Sequence, residues 1–265
     1  MVHYQSINHS NHSLEEREVL FKQDYQRQNS PHVFLQTCNR IEWYEGEGDV
    51  PQEVVRHLFR VAAGLESGLL GEQAILGQVK EAYRIAKEKF RLSASLHKLF
   101  LAAITTGKRV RTETAIAQGA VSHSLAAIEL LEEEKTDWRK SVITVIGVNK
   151  LTEDTLLFLK NKGAVTLFLA NRSLEKAQPL ADRFGCDIYP LTRKREILAA
   201  SDIVLTATSA PHTIINKADI VPPSGSRGVS GVGRDITLID LAFPRDIDPG
   251  VKVIPGVKLV NLEDV

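Results

Sequence analysis

The run Leu35-Gln36-Thr37-Cys38-Asn39-Arg40-Ile41-Glu42 places a thiol two residues from a guanidinium and between hydrogen-bonding side chains. A nearby positive charge lowers a thiol pKa from about 8.5 and enlarges the nucleophilic thiolate fraction, so Cys38 is a candidate nucleophile. Cys186 follows Gly185 at the end of a helical pattern and reads as a small buried hydrophobe. Two cysteines make at most one disulfide, too few to staple a secreted scaffold, and both are read as free thiols. A second chemical feature is Gly147-Val148-Asn149-Lys150-Leu151-Thr152, set between a strand-like run and a helical pattern. A dinucleotide loop wants G-x-G-x-x-G there, with the second glycine admitting the pyrophosphate and the third letting helix and strand pack closely. Only the first glycine is present. Asn149 tolerates positive φ better than most residues, Lys150 can reach a phosphate, and the helix start offers free amides to an anion.

The elements that must position these groups are clearest after about Arg139, where apolar β-branched runs alternate with helical patterns as a parallel sheet requires. Strands are expected at 141–148, 165–171, 187–191, 203–207 and 238–242. Helices are expected at 151–162, stopped by Gly163, from an N-cap at Ser173 to Phe184, stopped by Gly185, and at 194–200. The segment Pro222 to Arg234, rich in proline, glycine and serine, reads as a surface loop. The first half is less regular. An extended segment spans 32–37, and 74–90 is strongly helical, with Ile75, Leu76, Val79, Ala82, Tyr83 and Ala86 on one face. Further helices are expected at 95–111 and 122–134, and the polar joint Glu132 to Trp138 places a boundary near residue 135. Arg172 of Asn171-Arg172-Ser173 lies 172 − 147 = 25 residues beyond Gly147, close to where an acidic side chain would hold the ribose of NAD; a guanidinium there favours the 2′-phosphate of NADP.

The composition is that of an ordinary α/β protein: 43% apolar, 25% charged, 33 basic against 33 acidic residues and a pI near 7.1. It excludes a disordered tail and a basic nucleic-acid arm. No apolar run approaches the roughly 18 residues a bilayer needs, and the polar, His-rich start is unlike a signal peptide, so a cytoplasmic protein with no membrane partner is expected. The eight histidines are scattered, and no metal site is expected.

TCNRIEWY resembles the active-site segment of the glutamyl-tRNA reductases. His57 to Ser67 (HLFRVAAGLES) and Leu70 to Lys80 (LGEQAILGQVK) resemble that family's next two signatures, in order. So do Asn8-His9 with Arg17-Glu18, Gly107 to Thr114, Ala120-Val121-Ser122, and Asp240 to Asp248 (DLAFPRDID). The resemblance spans nearly the whole chain. It implies an α/β protein: an N-terminal α+β catalytic domain with connecting helices, residues 1–135, followed by a Rossmann-type, doubly wound NADPH-binding domain, residues 136–265. It implies reduction of glutamyl-tRNA to glutamate-1-semialdehyde through a thioester on Cys38, the first step of tetrapyrrole and haem synthesis, with NADPH as the hydride source. His57 matches the histidine the family places beside the cysteine, here read at the head of an HLFRVA helix. Thr37, Asn39, Arg40, Ser67, Glu72, Gln73, Ala74 and Gln78 fall on substrate positions, with Arg40 suited to a glutamate side-chain carboxylate and Glu72 to its ammonium. Gly147, Val148, Asn149, Lys150, Leu151, Thr152, Asn171, Arg172 and Ser173 fall on cofactor positions, with Ser209 of the TATSAP loop at the nicotinamide end. Lys98, Lys108, Arg109 and Arg111 offer a basic patch for tRNA.

The implied partners are glutamyl-tRNA and the aminomutase that consumes the aldehyde. The family continues past a segment like 259–265 into a long helix and dimerisation domain not found in this sequence, so a homodimer is not assigned. The stretch Gly46 to Pro51 reads as a turn replacing a helix and strand of the family. Two alternatives stay open: a non-reducing regulatory or haem- or tRNA-binding paralogue that kept the fold, and an esterase that hydrolyses the thioester.

Overall fold

The computed structural model describes residues 1–24, 30–37, 39–72, 74–117, 123–133, 136–220 and 235–264. Cys38, Gln73, the Ala120-Val121-Ser122 motif, part of the polar joint and the 222–234 segment lie outside the described residues. The chain forms two compact units, Met1–Ser122 and His123–Val265. The boundary read near residue 135 falls after the helix at His123–Glu133, which belongs to the second unit.

In the first unit, β1 (His3–Asn8), β2 (His32–Gln36) and β3 (Arg40–Glu45) form an antiparallel sheet with β3 in the centre. Helix α1 (Leu14–Asp24) joins β1 to β2; α2 (Gln52–Ala63), α3 (Ala74–Lys89) and α4 (Ala94–Glu113) follow. Leu35, Tyr44, Leu58, Val79 and Phe100 share one core. Ser93 caps α4 by accepting from Leu96 N at 3.2 Å, satisfying an amide the helix start leaves open. The turn after β3 is real: Gly46 and Gly48 both have positive φ.

The second unit carries α5 (His123–Glu133), β4 (Val142–Ile146), α6 (Lys150–Asn161), β5 (Thr166–Asn171), α7 (Leu174–Phe184), β6 (Asp187–Pro190), α8 (Lys194–Ala200), β7 (Ile203–Thr206), β8 (Ile236–Asp240) and β9 (Val257–Asn261). All six strands are parallel, in the order β6-β5-β4-β7-β8-β9. Counted within the unit this is 3-2-1-4-5-6, the Rossmann arrangement, whose strand order reverses between β4 and β7. The inner strands β4, β7 and β8 are largely buried and mostly apolar, and Ile146, Val204 and Leu238 share one core with Ala170 of β5. Ser173 precedes α7 but makes no side-chain capping bond; Asn171 Nδ2 instead donates to Ser173 O at 2.8 Å. Among the described residues no helix is long and apolar enough to cross a membrane.

Candidate active site

Strand β3 reads Arg40-Ile41-Glu42-Trp43-Tyr44-Glu45, and the period of two puts Arg40, Glu42 and Tyr44 on one face. Glu42 is wholly buried and its carboxylate collects four donors. Oε1 accepts from Ser6 Oγ (2.9 Å), Arg40 Nη1 (3.0 Å) and His57 Nε2 (2.8 Å), and Oε2 accepts from Tyr44 Oη (2.5 Å). Burial pushes the Glu42 pKa up, but the hydrogen bond and charge of His57, with Arg40 and Tyr44, outweigh it and hold the carboxyl below its ordinary range. The same burial and the Glu42 charge push the Tyr44 phenol well above its ordinary value. His57 lies in the middle of α2, not at its head, and faces β3. Because an ionised Glu42 can only accept, His57 directs an N–H at it from Nε2, and Nδ1 is the ring nitrogen free to exchange a proton. Tyr4 stacks on the imidazole, ring centroids 4.3 Å apart and 13° from parallel.

The connection from β2 to β3 is pinned by Thr37. Its N–H donates to Arg40 O (2.9 Å), and its hydroxyl accepts from the backbone N–H of Asn39 and of Arg40, each at 3.1 Å. Thr37 and Asn39 are both buried. His9 N donates to Asn39 O (2.9 Å); partial burial and the nearby Arg40 and Arg17 charges favour its neutral form. Arg40, 1% exposed, gives Nη1 to Glu42 and Nη2 to Glu66 O, so the guanidinium expected to meet a substrate carboxylate is turned inward.

The segment 64–72 closes on itself, with Gly71 N donating to Gly64 O at 2.9 Å, and displays Ser67 half-buried between them. Gly71 is obligatory: its φ is +77°, and a Cβ would stand 2.2 Å from Ile116 O. Arg111 clamps this loop through Nη1 to Gly71 O (3.3 Å) and Nη2 to Glu72 O (2.6 Å). Arg111 is thus drawn inward and Arg109 is paired with Glu113 (3.0 Å), so only Lys98 and Lys108 of the expected basic patch stand as unengaged surface cations. Glu72 is buried and Ala74 exposed. Buried polar atoms without a hydrogen-bond partner include Asn39 Nδ2, Arg40 Nε and Gln78 Oε1, all on expected substrate residues, and Arg111 Nε. Sequence reasoning missed Glu42, Tyr44, Ser6 and Tyr4; the period-two spacing of Arg40, Glu42 and Tyr44 is the signal that reveals them.

In the second unit the carboxyl ends of β4, β5, β7 and β8 line the edge where such sheets bind ligands. Gly147 has φ +113°, and a Cβ there would stand 2.6 Å from Ala207 O, so the loops after β4 and β7 touch through the one surviving glycine. Asn149 caps α6 in a reciprocal box: its Oδ1 accepts from Thr152 N (3.0 Å) and Thr152 Oγ1 accepts from Asn149 N (2.9 Å). Lys150, expected to reach a phosphate, instead pairs with Asp154 (2.8 Å) and Glu153 (3.5 Å). Val148 and Leu151 are half-buried; Arg172, at the end of β5, and Ser209 are exposed. Beneath the β7 loop lie two buried carboxylates. Asp246 accepts from Thr208 N (2.8 Å) and Thr208 Oγ1 (2.5 Å); Asp240 accepts from Thr206 Oγ1 (3.1 Å), Ala242 N (3.0 Å) and Ile247 N (2.8 Å). Burial and then mutual repulsion push Asp240 up to about 7, and burial pushes Asp246 up to about 6.

This is a Rossmann-type nucleotide-binding unit preceded by an α+β unit built around a buried carboxylate and a histidine. Residues 129–265 match the family model of Shikimate / quinate 5-dehydrogenase, and residues 47–114 that of the Glutamyl-tRNAGlu reductase N-terminal domain. Glutamyl-tRNA reductase of Thermus thermophilus is 37% identical over 253 residues, covering 88% of this chain and 63% of that protein. That of Methanopyrus kandleri is 38% identical over 250 residues, covering 88% and 61%. The solved structure of the Methanopyrus kandleri reductase is 33% identical, covers 99% of this chain and 71% of that one, and superposes with a TM-score of 0.48. The chain belongs to the glutamyl-tRNA reductase family. It spans less than two thirds of the length of the first two relatives.

Proposed function

We propose that this protein reduces glutamyl-tRNA to glutamate-1-semialdehyde through a thioester on Cys38, using NADPH, as the entry to haem synthesis. The observation that carries the reading is the pair of orphaned buried atoms, Asn39 Nδ2 and Gln78 Oε1, on residues the resemblance assigns to the substrate. An unpartnered buried polar atom is costly unless a ligand completes it.

In the first step the Cys38 thiolate attacks the ester carbonyl of glutamyl-tRNA. The C–O bond to the ribose breaks, the tRNA hydroxyl leaves with a proton, and a glutamyl thioester remains. His57 Nδ1 is the atom to hold and return that proton, while the Nε2 bond to Glu42 and the Tyr4 stack fix the ring. Asn39 Nδ2 and Gln78 Oε1 supply a donor and an acceptor to the polar glutamyl group, and Ser67 and Glu72, on the Arg111-clamped loop, belong to the same pocket in this reading. The resemblance adds Gln73 and Ala74 to the substrate residues.

The second unit fits a pyridine nucleotide at its fold, at the Gly147 close approach and at the exposed Arg172, which suits a 2′-phosphate. Backbone at Val148 to Thr152, with Asn171 to Ser173 and Ser209, would hold it. When bound, NADPH would supply the hydride that takes the thioester to the aldehyde and frees the thiolate. Cytoplasmic action and consumption of the aldehyde by an aminomutase belong to the same reading.

The test is a single-turnover assay with glutamyl-tRNA, with and without NADPH, on the native protein and Cys38→Ser. Aldehyde that requires both NADPH and Cys38 is the expected result. Cys38-dependent deacylation that yields no aldehyde at any NADPH concentration refutes the reductase in favour of an esterase, and no turnover of either kind refutes the enzyme reading.

A further inference from the structure

Asn149 stands where the dinucleotide fingerprint has its second glycine, and its side-chain amide is engaged at both ends. Oδ1 accepts from Thr152 N at 3.0 Å, at the start of α6, and Nδ2 donates to Ala207 O at 2.5 Å, in the loop after β7. Thr152 Oγ1 in turn takes the backbone N–H of Asn149 at 2.9 Å. Two amides at the helix start, where a pyrophosphate would seek donors, are therefore already paired within the chain.

The far side of this clamp is rigid. Ala207 N is held by Ile146 O at 3.0 Å, and Thr208 is tied through N and Oγ1 to the buried Asp246 at 2.8 and 2.5 Å. Gly147 backs onto the same Ala207 carbonyl. Lys150 turns instead to Asp154 and Glu153 on its own helix. Opening the loop to an anion thus requires Asn149 itself to swing away.

We infer that Asn149 is a built-in competitor for the cofactor pyrophosphate: its amide bridges Thr152 N and Ala207 O, and displacing that bridge sets the affinity of this chain for its nicotinamide nucleotide. The inference rests on the cofactor reading above. It assigns affinity and selectivity to different residues, because Asn149 meets a part common to NADPH and NADH, whereas Arg172, at the end of β5, stands where only a 2′-phosphate differs.

Equilibrium titration of the full chain with NADPH and with NADH, read from nucleotide fluorescence, tests it on the native protein, Asn149→Gly and Asn149→Ser. Glycine is nearly as good an N-cap as asparagine, and serine still caps Thr152 N but is too short to reach Ala207, so the helix start survives in both. Asn149→Gly is expected to tighten both nucleotides by the same factor, about tenfold, the worth of one net hydrogen bond, with the NADPH-to-NADH ratio unchanged. Asn149→Ser is expected to tighten them less. Equal or weaker binding by Asn149→Gly, with the native protein binding NADPH, overturns the inference and leaves the cofactor reading standing. Tightening of NADPH alone also overturns it. Binding of neither nucleotide to any of the three proteins overturns both, whatever deacylation by Cys38 remains.

Discussion

Replacing Glu42 by glutamine tests whether the first unit is organised by charge or by hydrogen-bond count. The two side chains have the same shape, and the count can be preserved. The amide oxygen can face Ser6, Arg40 and His57, while the amide N–H donates to Tyr44, whose hydroxyl can turn and accept. What disappears is the negative charge beside Arg40, a guanidinium 1% exposed whose ion pair with Glu42 is 3.0 Å long. Removing one partner of a buried pair leaves an uncompensated charge and costs about 3–5 kcal/mol, whereas losing the Tyr44 bond alone costs about 1.5–3 kcal/mol. Glu42→Gln is therefore expected to destabilise the first unit by about 3–5 kcal/mol, and Tyr44→Phe by about half as much. Urea unfolding followed through Trp43, buried on the same strand, reads this in a Trp138→Phe background. The pH dependence adds a second signature. The Glu42 carboxyl is held low, so its contribution is fully present above the ordinary carboxylate range and is lost as pH falls through the lowered value. The native acid limb should be missing from Glu42→Gln. A cost below about 1 kcal/mol, or an unchanged acid limb, would show that Arg40 does not depend on Glu42 and would refute the reasoning.

The second unit has the opposite sign. Burial pushes Asp240 up to about 7 and Asp246 up to about 6, so the stability they lend is fully present below the ordinary aspartate range and is lost as pH rises through 6 and 7; Asp240→Asn should flatten that decline, read as Tm against pH through Trp138. Burial pushes the Cys186 thiol up to about 11, so iodoacetamide at pH 7.5 should alkylate the native protein at Cys38 alone, and Cys38→Ser should take up almost none; mass spectrometry that finds Cys186 labelled first would contradict this.

The second unit was legible because a parallel sheet covered on both faces leaves continuous β-branched runs, and because Gly163 and Gly185, at φ +87° and +63°, mark where helices stop. Strand β8 starts at Ile236, two residues before the apolar run suggests, and β9, Val-Lys-Leu-Val-Asn, passes unnoticed because lysine and asparagine interrupt it. The first unit conceals its centre. Arg40 and Glu42 look like surface residues, yet Arg40 through Tyr44 are all buried, because the polar members of the strand satisfy one another and partners on β1 and α2. Helix α1 hides for a related reason: its inward face is Leu14, Arg17 and Phe21, with a buried arginine in the middle of the apolar stripe. The glycine loop was read correctly as altered but not as closed, since the reach of Asn149 to Ala207 joins residues far apart in the chain.

The two units place buried carboxylates under their working loops and give them opposite protonation preferences. Glu42 lies among Arg40, His57 and two hydroxyls, so positive charge overrides desolvation and the group stays ionised, which holds a His57 N–H toward it from Nε2. Asp240 has backbone amides and Thr206 for donors and another carboxylate, Asp246, for a neighbour, so desolvation and repulsion prevail. In the proposed function the difference suits each role: a proton-transferring imidazole is oriented by a permanent negative partner, whereas a loop beside an anionic cofactor is better anchored by acids that shed part of their charge. Protonation of Asp240 near neutral pH lowers the negative potential behind the Ala207 and Thr208 backbone, the same backbone to which Asn149 is tied. In the proposed function the acid pair and the asparagine therefore act on one quantity, the cost of bringing a pyrophosphate to the start of α6.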